Sequence, residues 1–232
     1  MIDSRATLEE RLSRVRSGIR SAAERAGRDP AGVRLVAVTK EVPVDLVALA
    51  LQAGLTDLGE NYVNEMAAKV RAFPRATWHY VGALQRGTAH RVADLSEVVH
   101  SLVPGKAYSR LAARARHDEK VVQALIQVDM TGSRAGIPPE EVASFAREAA
   151  SIEGVDVRGL MTLPPMPARA EDSRPYFRRL RELLDEVREH VEGFEELSMG
   201  MSADYEVAVE EGATMVRIGT ALFGERPSRG NA

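Results

Sequence analysis

Cysteine is absent from this chain of 232 residues. Its absence excludes a disulfide-stapled fold, a cysteine-ligated zinc site and a cysteine nucleophile. The sequence also lacks a run of 18 or more apolar residues, so we expect no membrane span and no membrane partner. Residues 1–5 lead into a charged helical pattern without an apolar signal core, and we therefore expect a cytoplasmic protein.

Excess charge of either sign is missing as well. The formal net charge is −3, from 31 basic and 34 acidic residues. A protein that binds nucleic acid usually carries a basic face, so we expect no nucleic-acid partner. Hydrophobic residues make up 44% of the chain, which is enough for a packed core and argues against disorder.

Lysine is scarce among the basic residues. Only four of the 31 are lysines, at Lys40, Lys69, Lys106 and Lys120, and the other 27 are arginines. Chance alone places a few lysines somewhere in any chain. Because arginine provides the positive charge almost everywhere else, the position of each lysine decides whether it has a special role.

The hydrophobic pattern predicts eight short strands that alternate with helices. The strands are predicted at 35–39, 57–61, 78–82, 98–102, 121–128, 157–162, 197–201 and 216–220. Strict alternation predicts a parallel sheet in an α/β fold, and eight units in this length predict a single (β/α)8 TIM-type barrel. We expect the barrel to occupy residues 1–224 and a flexible C-terminal tail to follow at 225–232.

An open, doubly wound sheet is the competing architecture. Such folds usually carry a glycine-rich loop after the first strand, which binds phosphate. Here the first strand is followed by the residues at 39–43, none of which is glycine. The sequence therefore favours the barrel.

Lys40 follows directly on the first predicted strand, where a barrel places its chemistry. Partial burial at that position lowers the pKa of an amine and favours a nucleophile that forms a Schiff base. The plainer interpretation is a lysine at the barrel rim, paired with Glu41 or Glu60. Position alone leaves both interpretations open.

Glycine and hydroxyl residues follow the last two predicted strands. Ser202 comes after the seventh strand, and Gly219 and Thr220 come at the end of the eighth. Barrels often bind phosphate at this place, because loop amides and helix N-termini there approach an anion. The alternative is that the glycine relieves a tight turn and Ser202 caps its helix. Both can hold together.

The remaining candidates are weaker. His79 lies inside an apolar strand, where a hydrogen-bonded core histidine is at least as common as a ligand. The other histidines do not show the spacing of metal ligands, so no metal site is predicted. Neither a Gly-x-Ser-x-Gly motif nor a P-loop occurs, and hydrolase or nucleotidase activity therefore has no motif to support it.

Six segments, in order from about Val33 to Gly224, resemble the pyridoxal 5′-phosphate homeostasis protein family (YggS/PROSC). They are Val36-Ala37-Val38-Thr39-Lys40, Gly59-Glu60-Asn61-Tyr62-Val63, Trp78-His79-Tyr80-Val81-Gly82, Arg158-Gly159-Leu160-Met161, Leu197-Ser198-Met199-Gly200-Met201-Ser202 and Val216-Arg217-Ile218-Gly219-Thr220. The last two together are highly specific. The resemblance implies a barrel like the N-terminal domain of alanine racemase, with pyridoxal 5′-phosphate as cofactor.

The resemblance also implies roles for individual residues. Lys40 matches the lysine that forms the internal aldimine with the cofactor aldehyde. Ser202, Gly219 and Thr220 match the phosphate cradle, and Arg217 matches the arginine that faces the pyridine nitrogen. Two further polar residues match the lining of the cofactor face, Asn61 and His79. No catalytic residue is implied.

An arginine opposite the pyridine nitrogen has a chemical consequence. Because a guanidinium does not accept a proton, the ring stays unprotonated and is a weaker electron sink. Carbanion chemistry is thereby disfavoured, although racemases of this fold also use an arginine. Racemases add a β-rich domain whose tyrosine completes the site of their dimer, and this sequence leaves no room for that domain. We therefore expect a monomer.

Two loops depart from the commoner family pattern. After the third strand the family usually has an Asn-Lys pair, which the residues at 83–88 lack. After the fifth strand, in the segment 129–136, arginine stands where the family usually has lysine. If those lysines accept or pass on cofactor, that step is in doubt here, whereas binding at Lys40 is unaffected.

Three functional hypotheses follow. In the first, the protein binds pyridoxal phosphate for intracellular homeostasis, without robust catalysis, and delivers it to apo-enzymes that need it. In the second, it is a pyridoxal-phosphate enzyme that acts on amino acids, such as a racemase. In the third, it is a cofactor-independent Schiff-base aldolase that uses Lys40 and the phosphate loops on a sugar phosphate.

Overall fold

The computed structural model of the chain describes residues 5–225. Eight parallel strands form one closed barrel, each paired with the next and β8 with β1. The strands are β1 (Arg34–Val38), β2 (Asp57–Glu60), β3 (Thr77–Tyr80), β4 (Val98–Leu102), β5 (Val122–Val128), β6 (Val155–Thr162), β7 (Glu196–Ser198) and β8 (Met215–Ile218). The predicted (β/α)8 barrel is confirmed, and the open sheet is excluded.

Helices surround the barrel and join its strands. They are α1 (Arg5–Arg25), α2 (Val44–Gln52), α3 (Val63–Ala72), α4 (Ala89–Leu95), α5 (Lys106–His117), α6 (Val142–Ala150), α7 (Arg174–Arg188), α8 (Tyr205–Glu210) and α9 (Thr220–Phe223). Helix α1 precedes the first strand and packs against α8 and α9, which closes the ring of helices. Within 5–225, no helix has both the length and the apolar character needed to cross a membrane.

The barrel has two separate apolar cores. The larger one lies between the sheet and the helices, and it includes Ala37, Leu58 and Val216. The smaller core lies inside the barrel and consists of Val36, Leu125, Met161 and Met215. Side chains along a strand alternate between its two faces, so residues two apart from Val36 on β1 also point into the barrel. Inward-facing positions can therefore be read from the sequence once the strands are fixed.

Strand ends are the main difference between prediction and structure. Five strands, β1, β2, β3, β7 and β8, end one to three residues earlier than the pattern predicts. The residues beyond those ends leave the sheet and line the barrel mouth at the carboxyl ends of the strands. Gly200 has a φ of +90°, and a Cβ atom there would lie 2.5 Å from that of Ala208, so the chain turns away on glycine. Of the expected C-terminal tail, residues 226–232 lie outside the described range.

Candidate functional site

Lys40 lies at the barrel mouth, two residues beyond the end of β1. It lies in the turn that follows β1, and its side chain is half-buried. Over residues 5–225, no carboxylate comes within ion-pair distance of the Lys40 ammonium, although both Glu41 and Glu60 are neighbours in sequence or sheet. Lys40 is therefore not the paired rim lysine that the plainer interpretation required.

The other three lysines have structural positions. Lys69 is buried and pairs with Glu60. Lys120 donates to the carbonyl oxygens of Ala93 and Ser96 at the end of α4. Lys106 is exposed at the start of α5. Lys40 is thus the lysine at the carboxyl end of a barrel strand whose amine has no ion-pair partner within residues 5–225.

A buried polar cluster holds the end of β1 from outside the barrel. The Lys69 ammonium donates to the Thr39 carbonyl oxygen and to Glu60 Oε1, each at 2.6 Å. The Thr39 hydroxyl also donates to Glu60 Oε1, while Glu60 Oε2 is buried and accepts no hydrogen bond from the residues that the structure describes. Burial raises the pKa of Glu60, because the nearby Lys69 offsets only part of the cost of removing the carboxylate from water. The cluster fixes the backbone immediately before Lys40.

The turn after Lys40 is strained. Glu41 has a φ of +60°, a conformation that a residue with a side chain rarely adopts. Its amide N–H donates to Glu65 Oε2 at 2.8 Å, which ties the turn to α3. Non-glycine residues in this region persist where the surrounding structure holds them, and such residues are common at binding sites.

The loops after β7 and β8 meet at the mouth. Ser202 Oγ accepts a hydrogen bond from the amide N–H of Ala221 at 3.1 Å, across 19 residues of sequence. Gly219 and Thr220 begin the four-residue helix α9 immediately beside that contact. The structure therefore brings Ser202, Gly219 and Thr220 together, as the sequence predicted from the two loops.

Arg217 occupies the inward face of β8 and is buried. Its guanidinium donates to Ser198 Oγ and, at 2.9 Å, to the Thr162 carbonyl oxygen. In the described part of the chain, no carboxylate lies within ion-pair distance of it, and burial lowers its pKa to about 10. The group nevertheless stays protonated near neutral pH, so an unpaired cation lies beneath the mouth of the barrel.

A line of hydrogen bonds runs from Arg217 through the barrel interior to the start of β2. His100 Nδ1 lies 2.8 Å from Ser198 Oγ, and His100 Nε2 lies 2.9 Å from His79 Nδ1. His79 Nε2 in turn lies 3.0 Å from Asp57 Oδ1. We call these five residues, Asp57, His79, His100, Ser198 and Arg217, the buried polar network.

The network explains the position of His79. Both of its ring nitrogens have protein partners, and its side chain is fully buried within β3 rather than beyond the end of that strand. Asn61 instead follows the end of β2, at the mouth. A Cβ atom on Gly82 would lie 2.1 Å from the Asn61 carbonyl oxygen, so the loops after β2 and β3 touch only because residue 82 is glycine.

The two loops that depart from the family pattern also lie at the carboxyl ends of strands. In the segment 129–136, Asp129 accepts hydrogen bonds from the amides of Thr131 and Arg134, and Gln127 donates to the Ala135 carbonyl oxygen. These hydrogen bonds hold the segment against the end of β5 without a lysine. In the segment 83–88, Gly87 and Thr88 stand where the family usually has the Asn-Lys pair, directly after the exposed Arg86.

Sequence reasoning missed most of the buried polar network and the cluster around Lys69. A signal was present, because Arg217 is the one polar residue of the buried strand β8, and His100 directly follows two valines in the buried strand β4. To predict the contacts among these residues, one must know which residues of five strands face the barrel interior. That information comes only from the closed barrel.

Burial of His100 makes stability depend on pH. Burial, above all, and the nearby positive charges of Arg217 and Arg34 hold the pKa of His100 well below its ordinary value. The unfolded chain binds a proton at this residue below about pH 6.5, whereas the folded protein does not. The contribution of His100 to stability is therefore complete above about pH 6.5 and is lost as the pH falls toward the lowered pKa.

We expect the free energy of unfolding to fall on acidification by up to about 1.4 kcal/mol per pH unit from this residue. Urea unfolding between about pH 7.5 and about pH 5 measures it. In His100→Gln the free energy of unfolding should fall less steeply with decreasing pH than in wild type. In His190→Gln, which changes an exposed histidine, it should fall as steeply as in wild type. Equal slopes in wild type and His100→Gln would contradict the assignment.

The amino-acid sequence matches the family described as alanine racemase, N-terminal domain, over residues 11–227. The pyridoxal phosphate homeostasis protein of Aquifex aeolicus is 41% identical over 222 residues, which are 94% of this chain and 97% of that protein. The protein of the same name from Pseudomonas aeruginosa is 39% identical over 224 residues, 95% and 96% of the two chains.

Solved structures show the same fold. PipY of Synechococcus elongatus, with pyridoxal phosphate bound, superimposes with a TM-score of 0.83 at 32% identity, over 94% of this chain and all of PipY. Alanine racemase of Clostridium difficile superimposes with a TM-score of 0.72 at 15% identity, over 97% of this chain and 58% of the racemase. That second likeness concerns the fold alone. By sequence and by structure, the chain belongs to the pyridoxal phosphate homeostasis protein family, which has the fold of the alanine racemase N-terminal domain.

Proposed function

We propose that this protein binds pyridoxal 5′-phosphate at the barrel mouth and holds it for intracellular cofactor homeostasis. The observation that carries the proposal is that two cations without ion-pair partners among the described residues belong to neighbouring strands of the barrel. Arg217 on β8 is a buried guanidinium without a carboxylate partner among the described residues, and Lys40 follows β1 with an unpaired amine. Such a pair suits a ligand that carries both an aldehyde and a ring nitrogen that accepts a hydrogen bond.

Pyridoxal phosphate, when bound, supplies an aldehyde carbon that reacts with a primary amine. Lys40 is the amine proposed for that role, because the other described lysines are paired, bonded to carbonyl oxygens or exposed on a helix. The cluster of Thr39, Glu60 and Lys69 fixes the backbone before Lys40, so the Lys40 side chain is attached to a rigid strand end.

The loops after β7 and β8 are proposed to bind the phosphate. The hydroxyls of Ser202 and Thr220 and the loop amides near Gly219 supply neutral donors, and the contact between Ser202 and Ala221 fixes the two loops relative to each other. Neutral donors of this kind bind phosphate in many barrels. Asn61, at the end of β2, is proposed to contact one face of the cofactor.

Arg217 is proposed to face the pyridine nitrogen. A guanidinium only donates hydrogen bonds, so it leaves that nitrogen without a proton and weakens the ring as an electron sink. We therefore propose a protein that holds the cofactor without robust catalysis and delivers it to apo-enzymes. The second candidate, an amino-acid racemase, has the barrel fold in its favour.

Borohydride reduction of the wild-type protein after incubation with pyridoxal phosphate tests the proposal. Reduction makes the attachment permanent, and peptide mass spectrometry then locates it among only four lysines. We expect a visible absorption band before reduction and a modified peptide that contains Lys40. A protein that stays colourless, or one modified elsewhere, would contradict the proposal.

Incubation of the loaded protein with L-alanine in deuterium oxide tests the alternative. A protein that only holds the cofactor should leave the Cα hydrogen in place on the timescale of enzyme turnover. Repeated exchange at Cα, many times per protein molecule, would favour the racemase instead.

A further inference from the structure

With both histidine rings neutral, the buried polar network has a single consistent direction. Arg217 donates to Ser198 Oγ, because a guanidinium has no acceptor. The Ser198 hydroxyl is then free to donate onward to His100 Nδ1, 2.8 Å away. Asp57 lies at the other end and, as a carboxylate, only accepts.

The two histidines complete the line. For Asp57 to accept, His79 must carry its proton on Nε2, which leaves Nδ1 as an acceptor for His100 Nε2–H. His100 Nδ1 is then the acceptor for Ser198. With neutral rings, every intermediate residue donates once and accepts once.

We propose that the buried polar network is a positioning device: it fixes Arg217 beneath the barrel mouth and disperses the guanidinium charge toward Asp57. The proposal rests on the function proposed above, in which Arg217 faces the ring nitrogen of pyridoxal phosphate. His79 and His100 act through Arg217 and do not touch the cofactor. The network thereby takes the place of a direct carboxylate partner, which would neutralise the guanidinium at the mouth.

Charges at the amino ends of the strands support the anionic end of the network. Asp57 also accepts a hydrogen bond from the Thr56 hydroxyl and lies 3.9 Å from Arg34 Nε. Burial alone would raise the pKa of Asp57, but the bonds from His79 and Thr56 outweigh it and lower that pKa. Asp57 is thus held as an anion, with 17% of its side chain exposed on the face opposite the mouth.

Nitrogen NMR of the apo-protein, labelled with ¹⁵N-histidine, tests the direction of the network without cofactor. The chain has five histidines, and loss of one signal in His100→Gln assigns His100. We expect a neutral ring with its proton on Nε2. A proton on Nδ1, or on both nitrogens, would overturn the proposal.

Titration with pyridoxal phosphate tests the role. His100→Leu interrupts the network, and we expect the cofactor to bind about tenfold to hundredfold more weakly, with a shifted visible band, since a hydrogen bond to a charged group is lost. His100→Gln carries both a donor and an acceptor and should restore the band and most of the affinity. The exposed control His190→Leu should match wild type.

Asp57→Asn provides a second test at the partly exposed end, should His100→Leu fold poorly. We expect the same direction of change in the band, because the terminal anion is removed while the shape is kept. An unchanged affinity and band in both His100→Leu and Asp57→Asn would overturn the proposal. Wild-type protein that takes up no cofactor would instead contradict the proposed function. The NMR result would still decide the direction of the hydrogen bonds in the network.

Discussion

Replacing Lys69 with methionine should lower the free energy of unfolding by about 3–5 kcal/mol. Glu60 is fully buried, and within residues 5–225 its hydrogen-bond partners are only Lys69 and the Thr39 hydroxyl. Without the ammonium, the carboxylate must either stay charged in a dry environment or take up a proton, and both cost free energy. Denaturant unfolding at neutral pH measures the change.

A double variant separates the ion pair from packing. Glu60→Leu together with Lys69→Met removes both charges, and the loss should be much smaller than for Lys69→Met alone, because no buried charge is left unpaired. Lys106→Met changes an exposed lysine and should stay within about 0.5 kcal/mol of wild type. If the double variant were as unstable as Lys69→Met, the unpaired carboxylate could not be the cause.

Lys69 also shows which features of the structure could be predicted from the amino-acid sequence alone. Apolar runs and their spacing predicted all eight strands and the barrel, because β-branched runs alternating with helices have few other solutions. The same pattern describes Lys69 only as a charged residue on an amphipathic helix. Its burial depends on the carboxylate of Glu60 reaching out of the sheet toward α3, which is a tertiary contact.

In the candidate site, too, some residues could be predicted from the sequence and others could not. Lys40, Ser202, Gly219 and Thr220 could be proposed because the ends of parallel strands meet at one rim in any barrel. His79 was placed among the cofactor residues through the resemblance, and the structure instead gives both of its ring nitrogens protein partners. Its link to Arg217 passes through β4 and β7, and contacts between strands so distant in sequence leave no local pattern.

Replacing Lys40 with alanine should abolish covalent retention of pyridoxal phosphate. Loaded wild-type protein should keep the cofactor through gel filtration and keep its visible band, whereas Lys40→Ala should lose both. Folding should be almost unaffected, because the half-buried amine has no ion pair in the part of the chain that the structure describes. The melting temperature of the apo-protein measures this second expectation.

Lys40→Arg distinguishes the amine from the charge. Arginine keeps a cation at the mouth but does not supply a neutral amine near neutral pH, so covalent retention should be lost here as well. Lys106→Ala, at an exposed lysine on α5, should retain the cofactor as wild type does. Retention by Lys40→Arg would mean that charge alone binds the cofactor, and covalent attachment would then have to be abandoned.

Reversible binding by Lys40→Ala would instead report what Arg217 and the loops around Ser202 contribute without the covalent bond, since neither depends on Lys40 for its own hydrogen bonds.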